Sequence, residues 1–348
     1  MGFKIGDRQV GGPAPALLVA ELSANHGHDI GIAIRTIEAA RDAGADAVKV
    51  QTYTPDTMTI DCGDEPFRIG HGTLWDGRTL YELYAEAHMP WQWQPRLKKT
   101  AEELGLLFFS SPFDRSSADF LESIGTPAYK IASFEITDTP LIEYVAGKGK
   151  PVIISTGIAG RHDIEEALAA CRRAGNDRIA LLKCTSAYPA PLKEMNLLTM
   201  PDMARRFDVV VGLSDHGASP SVPVASVALG AKIIEKHFIM DRSIGGPDAS
   251  FSLDPGEFKA MARGVREAEE ALGEVTYEMS EAVMRHRRFS RSLFAVKDIS
   301  KGEPFTEENV RSIRPGDGLH PGRMKDLLGR KAAREIKRGE PMSMEMAE

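Results

Sequence analysis

The chain has 348 residues, 42% of them hydrophobic and 27% charged, enough for one large domain with a smaller one and for a substantial core. A formal net charge of -7 excludes a general nucleic-acid binder, which would be basic. It leaves room for a local cationic cluster that binds anions. The three cysteines, Cys62, Cys171 and Cys184, are too widely spaced for a disulfide framework or a zinc motif, and a reducing cytoplasmic setting is expected. The first residues are polar, without a signal-peptide core, and no apolar run reaches membrane-spanning length.

Phe3 to Val10 alternates loosely and closes on Gly11-Gly-Pro13, the pattern of a small strand or hairpin. Eight apolar runs follow: Ala16–Ala24, Ala47–Tyr53, Leu106–Phe113, Ala128–Phe134, Pro151–Gly157, Ile179–Ala187, Val209–His216 and Ala231–Ile239. Stretches with helical spacing separate them, among them Gly31–Ala43, Trp91–Leu104, Ile164–Ala174 and Ser219–Leu229. Eight strand–helix units in about 250 residues predict an α/β fold, a (β/α)8 TIM barrel, over residues 1–272. An open doubly wound sheet is the alternative. Between Tyr53 and Trp91 lies a long insertion after a strand end, where long loops are more often functional than decorative. Phe258–Leu272 reads as the closing helix, and Tyr277–Arg288, within 273–289, as a charged linker helix. Residues 290–348 carry a β-type pattern punctuated by Gly and Pro. At roughly sixty residues this small C-terminal mainly-β domain is near the lower limit for independent stability.

Barrel enzymes place their active sites at the C-terminal ends of the strands, and here nearly every run ends polar. Burying such residues without partners is costly, so a pure scaffold would not carry them. Lys49, Lys130, Ser111, Ser133, Ser155 and Ser214 supply cations and hydroxyls suited to a phosphate and a carboxylate. Singly, each serine reads more readily as a helix cap. His216 and His237 end what would be neighbouring strands, and together they suit a divalent metal with open positions. Glu21 and Glu135 are candidates for proton transfer. The two-residue strand period puts Glu235 on the His237 face and Lys236 on the other. Lys130 and Ser133 share the pocket only if a bulge or the strand end intervenes. Lys183 could face either way. His26 and His28 are weaker candidates. His71, His88, His286 and His320 read as solvated or hydrogen-bonded without chemistry, and Trp75, Trp91 and Trp93 as packing residues.

Taken together, Ala20-Glu-Leu-Ser-Ala-Asn-His26, Val48-Lys-Val-Gln-Thr52, Tyr129-Lys-Ile-Ala-Ser-Phe-Glu135, Ile154-Ser-Thr-Gly157, Gly212-Leu-Ser-Asp-His216, Glu235-Lys-His-Phe238 and Gly246-Pro-Asp248 resemble the sialic acid synthase family. These enzymes condense phosphoenolpyruvate with an amino-sugar aldehyde to give nine-carbon 2-keto acids. The tail resembles the antifreeze-like (SAF) domain of such synthases, and Arg314-Pro-Gly-Asp-Gly318 matches the segment whose arginine reaches the partner subunit's site in a domain-swapped homodimer. Leu80-Tyr-Glu-Leu-Tyr84, His88-Met-Pro-Trp-Gln-Trp93 and Cys184-Thr-Ser-Ala-Tyr-Pro189 are most similar to the pseudaminate branch, with the N-acetylneuraminate and legionaminate branches as alternatives. The resemblance implies phosphoenolpyruvate on Lys49, Gln51, Ser111, Lys130, Ser133, Ser155 and Ser214. It further implies Mn or Mg on His216 and His237, and sugar against Ser186, Tyr188, Asp248 and Arg314. Glu21 is the preferred proton-transfer residue and Glu135 the second. Two rivals stand beside this reading: a Schiff-base aldolase using Lys130 or Lys183, and a non-catalytic sugar-phosphate-binding protein.

Overall fold

The computed structural model describes residues 2–70 and 72–348, so His71 lies outside the described residues. Two compact units divide the chain, Met1–Gly273 and Glu274–Glu348. Strands β1 (Gly2–Ile5) and β2 (Arg8–Gly11) form the antiparallel hairpin read from the alternation. Eight parallel strands then close into a barrel: β3 (Leu17–Glu21), β4 (Ala47–Thr52), β5 (Leu107–Pro112), β6 (Tyr129–Ile131), β7 (Val152–Ser155), β8 (Ile179–Cys184), β9 (Val210–Asp215) and β10 (Ile233–His237). β10 pairs with β3, with His237 level with Glu21, so there is no sheet edge. The fold is the (β/α)8 barrel expected from the eight runs, not the open sheet.

The barrel has two apolar layers because its strands alternate. Leu17, Val19, Ala47, Phe109, Ala128, Ile153, Ala180, Leu182, Val210 and Ile233 face inward and fill the interior, with Ile5 and Val10 of the hairpin packed against them. The alternate residues, such as Leu18, Val48, Phe108, Ile154, Leu181 and Ile234, join the outer layer with the helices. At about 25 cal/mol per Å² of apolar surface removed from water, these layers dominate the stabilisation. The interior leaves no room at Gly212, where a Cβ would stand 2.3 Å from the Ile233 carbonyl oxygen.

Helix starts follow their caps. Asp29, Asp114, Asp138 and Asp254 each accept a backbone N–H of the first turn of the helices Ile30–Asp42, Arg115–Ser123, Thr139–Ala146 and Pro255–Leu272, meeting donors that a helix start leaves unpaired. The closing helix begins three residues before the expected Phe258, since Asp254 caps it and Pro255 occupies the first helical position. The insertion carries the short helices Pro55–Met58 and Leu80–Ala87, the second held by a Thr79–Glu82 capping box.

In the second unit the linker helix spans Glu281–Arg287, starting later than the charge pattern suggested because Ser280 caps it. β11 (Ser292–Ala295) and β12 (Val310–Ile313) pair antiparallel, and isolated bridges such as Ile299 with Ile336 supply the rest of the β character. Leu293, Phe305, Val310, Leu327 and Ile336 form this unit's own apolar cluster.

Candidate active site

The inward alternation that fills the barrel with apolar side chains changes character toward the C-terminal ends. On β4, Lys49 and Gln51 continue the inward row begun by Ala47. On β10, Glu235 and His237 continue that of Ile233. A cavity of about 320 Å³ opens above them, lined among others by Lys49, Gln51, Lys130, Ser133, Glu135, Ser155, Ser186, Tyr188, Ser214, His216, Glu235, His237 and Asp248.

At its floor lies a network of buried charges. Lys49 Nζ stands 2.6 Å from Glu21 Oε2 and 3.5 Å from Glu235 Oε1, and Lys130 Nζ stands 3.9 Å from Glu235 Oε2. Lys49 also donates to Ser111 Oγ at 3.3 Å, and Ser214 Oγ to Glu235 at 3.5 Å. Burial opposes ionisation of Glu235, but Lys130 and Lys49 outweigh it and hold its carboxyl below the usual range. Burial likewise pulls on Lys49, yet the two glutamates keep its ammonium strongly protonated. For Lys130 burial wins and its pKa falls. Glu21 is raised, by burial and then, against Lys49, by the charge of Glu235.

Two of the sequence candidates on the barrel strands do not reach the cavity surface. Glu21 and Ser111 are fully buried and absent from the lining. Glu21 is held by Lys49 and by Gln51, whose Nε2 donates to it at 3.3 Å. The serines are not caps: Ser133 Oγ accepts from the Gly157 N–H at 3.1 Å, and Ser155 Oγ is buried with no hydrogen-bond partner. Ser133 and Lys130 do share the cavity, because β6 ends at Ile131 and a 3-10 turn, Ser133–Glu135, redirects the chain. A side chain at Gly157 would sit 2.0 Å from Ser186 Oγ and 2.7 Å from Ser133 Oγ, so glycine is needed to bring these hydroxyls together. Glu135 lines the cavity with Oε2 unpartnered, and burial pushes its carboxyl up to about 7.

His216 and His237 are adjacent, with ring centroids 5.2 Å apart. His216 Nδ1 lies 3.1 Å from the Thr185 carbonyl oxygen, so Nδ1 is the donor and Nε2 is the ring nitrogen left for a ligand. Burial opposes protonation of this ring, but Cys184 and the Thr185 carbonyl outweigh it and raise its pKa. His237 Nδ1 is buried without a hydrogen-bond partner and 3.8 Å from Asp248 Oδ2. Burial and the neighbouring cations keep His237 neutral, the form that ligates metals. No cluster of three or more His, Cys, Asp or Glu able to hold a metal occurs among the described residues. The chain therefore offers two imidazoles, a donor set that fits a cation sharing its remaining positions with water and substrate.

Of the remaining sequence candidates, Lys236 points outward to Asp215 at 2.6 Å, as its alternation with His237 requires. Lys183 lines a separate groove with Thr156, Ile164 and Met203, and donates to the Cys184 carbonyl. It is thereby removed as a Schiff-base candidate in the cavity. His26 packs on Trp93, and Trp91 donates to the Tyr53 carbonyl at 3.0 Å. Trp75 departs from the expectation of simple packing. It lines the cavity, stands 5.7 Å from the Tyr188 ring and donates to the Pro247 carbonyl. Arg314 is exposed on the second unit, and the lining comes from the first unit alone among the described residues.

Several lining residues had no assigned role in the sequence reading. Glu235 was placed on the right face, and the need of Lys49 and Lys130 for a buried counter-charge was the signal that marks it. Tyr53 and Phe113 continue the inward rows of β4 and β5. Met58, Leu83 and Tyr84 come from the insertion, and no strand rule reaches them.

The NeuB family model matches residues 36–277 and the SAF domain model residues 290–348. The pseudaminic acid synthase of Campylobacter jejuni serotype O:2 is 47% identical over 325 residues, covering 93% of this chain and 94% of that protein. That of Helicobacter pylori is 46% identical over 330 residues, covering 94% and 97%. The crystal structure of the spore coat polysaccharide biosynthesis protein SpsE of Bacillus subtilis superposes with a TM-score of 0.69 at 36% identity, covering 100% of this chain and 99% of that one. The chain therefore belongs to the NeuB family and carries a SAF domain.

Proposed function

We propose that this enzyme condenses phosphoenolpyruvate with 2,4-diacetamido-2,4,6-trideoxyaltrose and water to give pseudaminic acid and phosphate. One observation carries the reading: a cavity floored by two buried lysines and walled by two imidazoles, in a chain this similar to two pseudaminic acid synthases over nearly their whole length.

Lys49 and Lys130 neutralise the phosphate and carboxylate of phosphoenolpyruvate, and Ser133, Ser155 and Ser214 donate hydroxyl hydrogens to them. Ser111 and Gln51 hold Lys49 and Glu21 in place. A divalent cation on His216 and His237, Mn or Mg, would polarise the aldehyde oxygen as a Lewis acid. C3 of phosphoenolpyruvate attacks the aldehyde carbon and C2 becomes electron-deficient. Water adds there, and the C2–O bond then breaks to release phosphate. Glu135 faces this space with a free oxygen and a pKa of about 7. Near neutrality it exists in both forms, so it can take the proton of the attacking water and return one to the new hydroxyl. Glu21, behind Lys49, acts as a positioning residue. Ser186, Tyr188 and Asp248 face the sugar, and Arg314 reaches it from the partner of a domain-swapped dimer.

Phosphate release is expected to be fastest with 2,4-diacetamido-2,4,6-trideoxyaltrose, ahead of the corresponding mannose isomer and N-acetylmannosamine; a higher kcat/KM for N-acetylmannosamine would refute the sugar assignment. Dialysis against a chelator should abolish phosphate release, and Mn or Mg should restore it. Full activity after exhaustive dialysis would remove the metal role. Mixing Arg314→Ala protein with a Lys130→Ala barrel variant should regain activity through hybrid dimers, and absence of any regain would rule out the shared site. Glu135→Gln should lower kcat by about 10²–10⁴-fold. The same change bears on stability. The folded pKa is raised above the unfolded value, so the ionised carboxyl costs stability, by up to about 3 kcal/mol, fully above pH 7 and not at all below about pH 4.5. Glu135→Gln should therefore stabilise the protein more at pH 8 than at pH 4.5 in thermal unfolding, and an equal shift at both would contradict the assignment.

A further inference from the structure

The insertion after β4 carries many charged residues, from Asp56 to Glu86. None of the described ones lines the cavity. The segment presents Met58, Thr73, Trp75, Leu83, Tyr84 and Ala87 instead. Trp75 reaches the far wall, against Tyr188 and the Pro247 carbonyl, and helix Leu80–Ala87 returns to the β4 side, where Tyr84 meets Tyr53 at 5.8 Å between ring centroids. Tyr53 in turn meets Phe113 at 5.2 Å. The insertion thus spans the mouth and lays a neutral, largely apolar surface across it.

Position in the barrel decides which part of the substrate meets this surface. The aldehyde-activating histidines end β9 and β10. Around the closed sheet the order runs β9, β10, β3, β4, β5, so Tyr53 and Phe113, just past the ends of β4 and β5, stand on the other side of the mouth. Tyr53 lies four residues beyond Lys49 on the same inward row, about 13 Å of strand rise above the anion-binding floor. A sugar whose aldehyde is at His216 and His237 and whose reaction partner lies on the floor extends its remote end toward this wall. Tyr53 and Leu83 are buried, and burial holds the Tyr53 and Tyr84 hydroxyls in the neutral form. A hydroxyl placed against Met58, Leu83 and Phe113 loses its water, and these side chains offer it no hydrogen bond in return. A methyl group there loses nothing.

We propose that Met58, Leu83 and Phe113, framed by the rings of Tyr53 and Tyr84, form a selectivity wall for amino-sugar aldehydes whose remote end is a methyl rather than a hydroxymethyl group. The inference rests on the phosphoenolpyruvate–sugar reading of the site and names the groups that read the deoxy end. An apolar wall rejects an added hydroxyl only moderately, by at most about 10²-fold in kcat/KM.

The test is a pair of ratios measured by phosphate release. One compares 2,4-diacetamido-2,4,6-trideoxyaltrose with its counterpart bearing the 6-hydroxyl. The other compares 6-deoxy-N-acetylmannosamine with N-acetylmannosamine. In whichever series is turned over, the unaltered enzyme should prefer the deoxy sugar by about 10–100-fold. Leu83→Asn and, independently, Met58→Gln should cut that preference by about 5-fold or more, with the KM for phosphoenolpyruvate moving less than about twofold. Two variants guard against one failing to fold, as judged by circular dichroism. Equal kcat/KM for both members of the pair in the unaltered enzyme, or a preference that survives in the folded variants, would overturn the wall. Turnover confined to the N-acetylmannosamine series would instead overturn the sugar proposed above, and the wall would still be judged by its own ratio.

Discussion

The site depends on one electrostatic constraint: two lysines and two glutamates, Lys49, Lys130, Glu21 and Glu235, are buried together at the floor of a barrel. Removing such charges from water costs several kcal/mol per ion, recovered only where opposite charges and hydrogen bonds meet them closely. The ammonium of Lys49 is matched by both carboxylates. That of Lys130 has one carboxylate at the outer limit of an ion pair, and its pKa falls. The network is thus complete on one side and short of negative charge on the other. A polyanion at the floor would supply what Lys130 lacks, even in a chain of acidic overall balance.

Above the floor the chemistry changes in layers, each set by the two-residue period of the strands. Along β10 the inward row runs Ile233, Glu235, His237, from apolar core to counter-charge to imidazole. Along β4 it runs Ala47, Lys49, Gln51, Tyr53. Moving up the barrel, the inward rows pass from hydrocarbon through charge to imidazole and aromatic groups. The outward rows stay structural even where they carry charge: Lys236 is neutralised by Asp215 within the wall. Neighbouring residues of one strand thus perform unrelated tasks.

This alternation explains what was legible in the sequence. The eight runs and their polar ends could be read because each obeys a local rule. His216, His237, Lys130 and Glu235 fell on the correct faces for the same reason. Glu21 and Ser111 were read as facing substrate because period two gives a direction and not a depth. Both point inward, but Lys49 engages them, Glu21 at 2.6 Å and Ser111 at 3.3 Å, and both are fully buried. The role of Trp75 and the lining from Met58, Leu83 and Tyr84 were not legible, since the path of an irregular segment across the mouth is set by tertiary contacts with Tyr188, Pro247 and Tyr53. The late start of the linker helix at Glu281 is a capping effect that charge density alone does not show.

The barrel closes by pairing its last strand with its first, and the register sets His237 beside Glu21. The two residues sit near opposite ends of the first unit, so the corner that joins imidazole to the charged floor is among the most non-local contacts in the chain. Contacts of that kind form late in folding, since the entropy of closing a long loop precedes their reward. Until β10 docks, Lys49 lacks Glu235 and His216 lacks its neighbour. A nascent barrel therefore passes through its assembly without the corner that joins imidazole to charge, and the pairing of Lys49 with both glutamates becomes a report that the ring has closed.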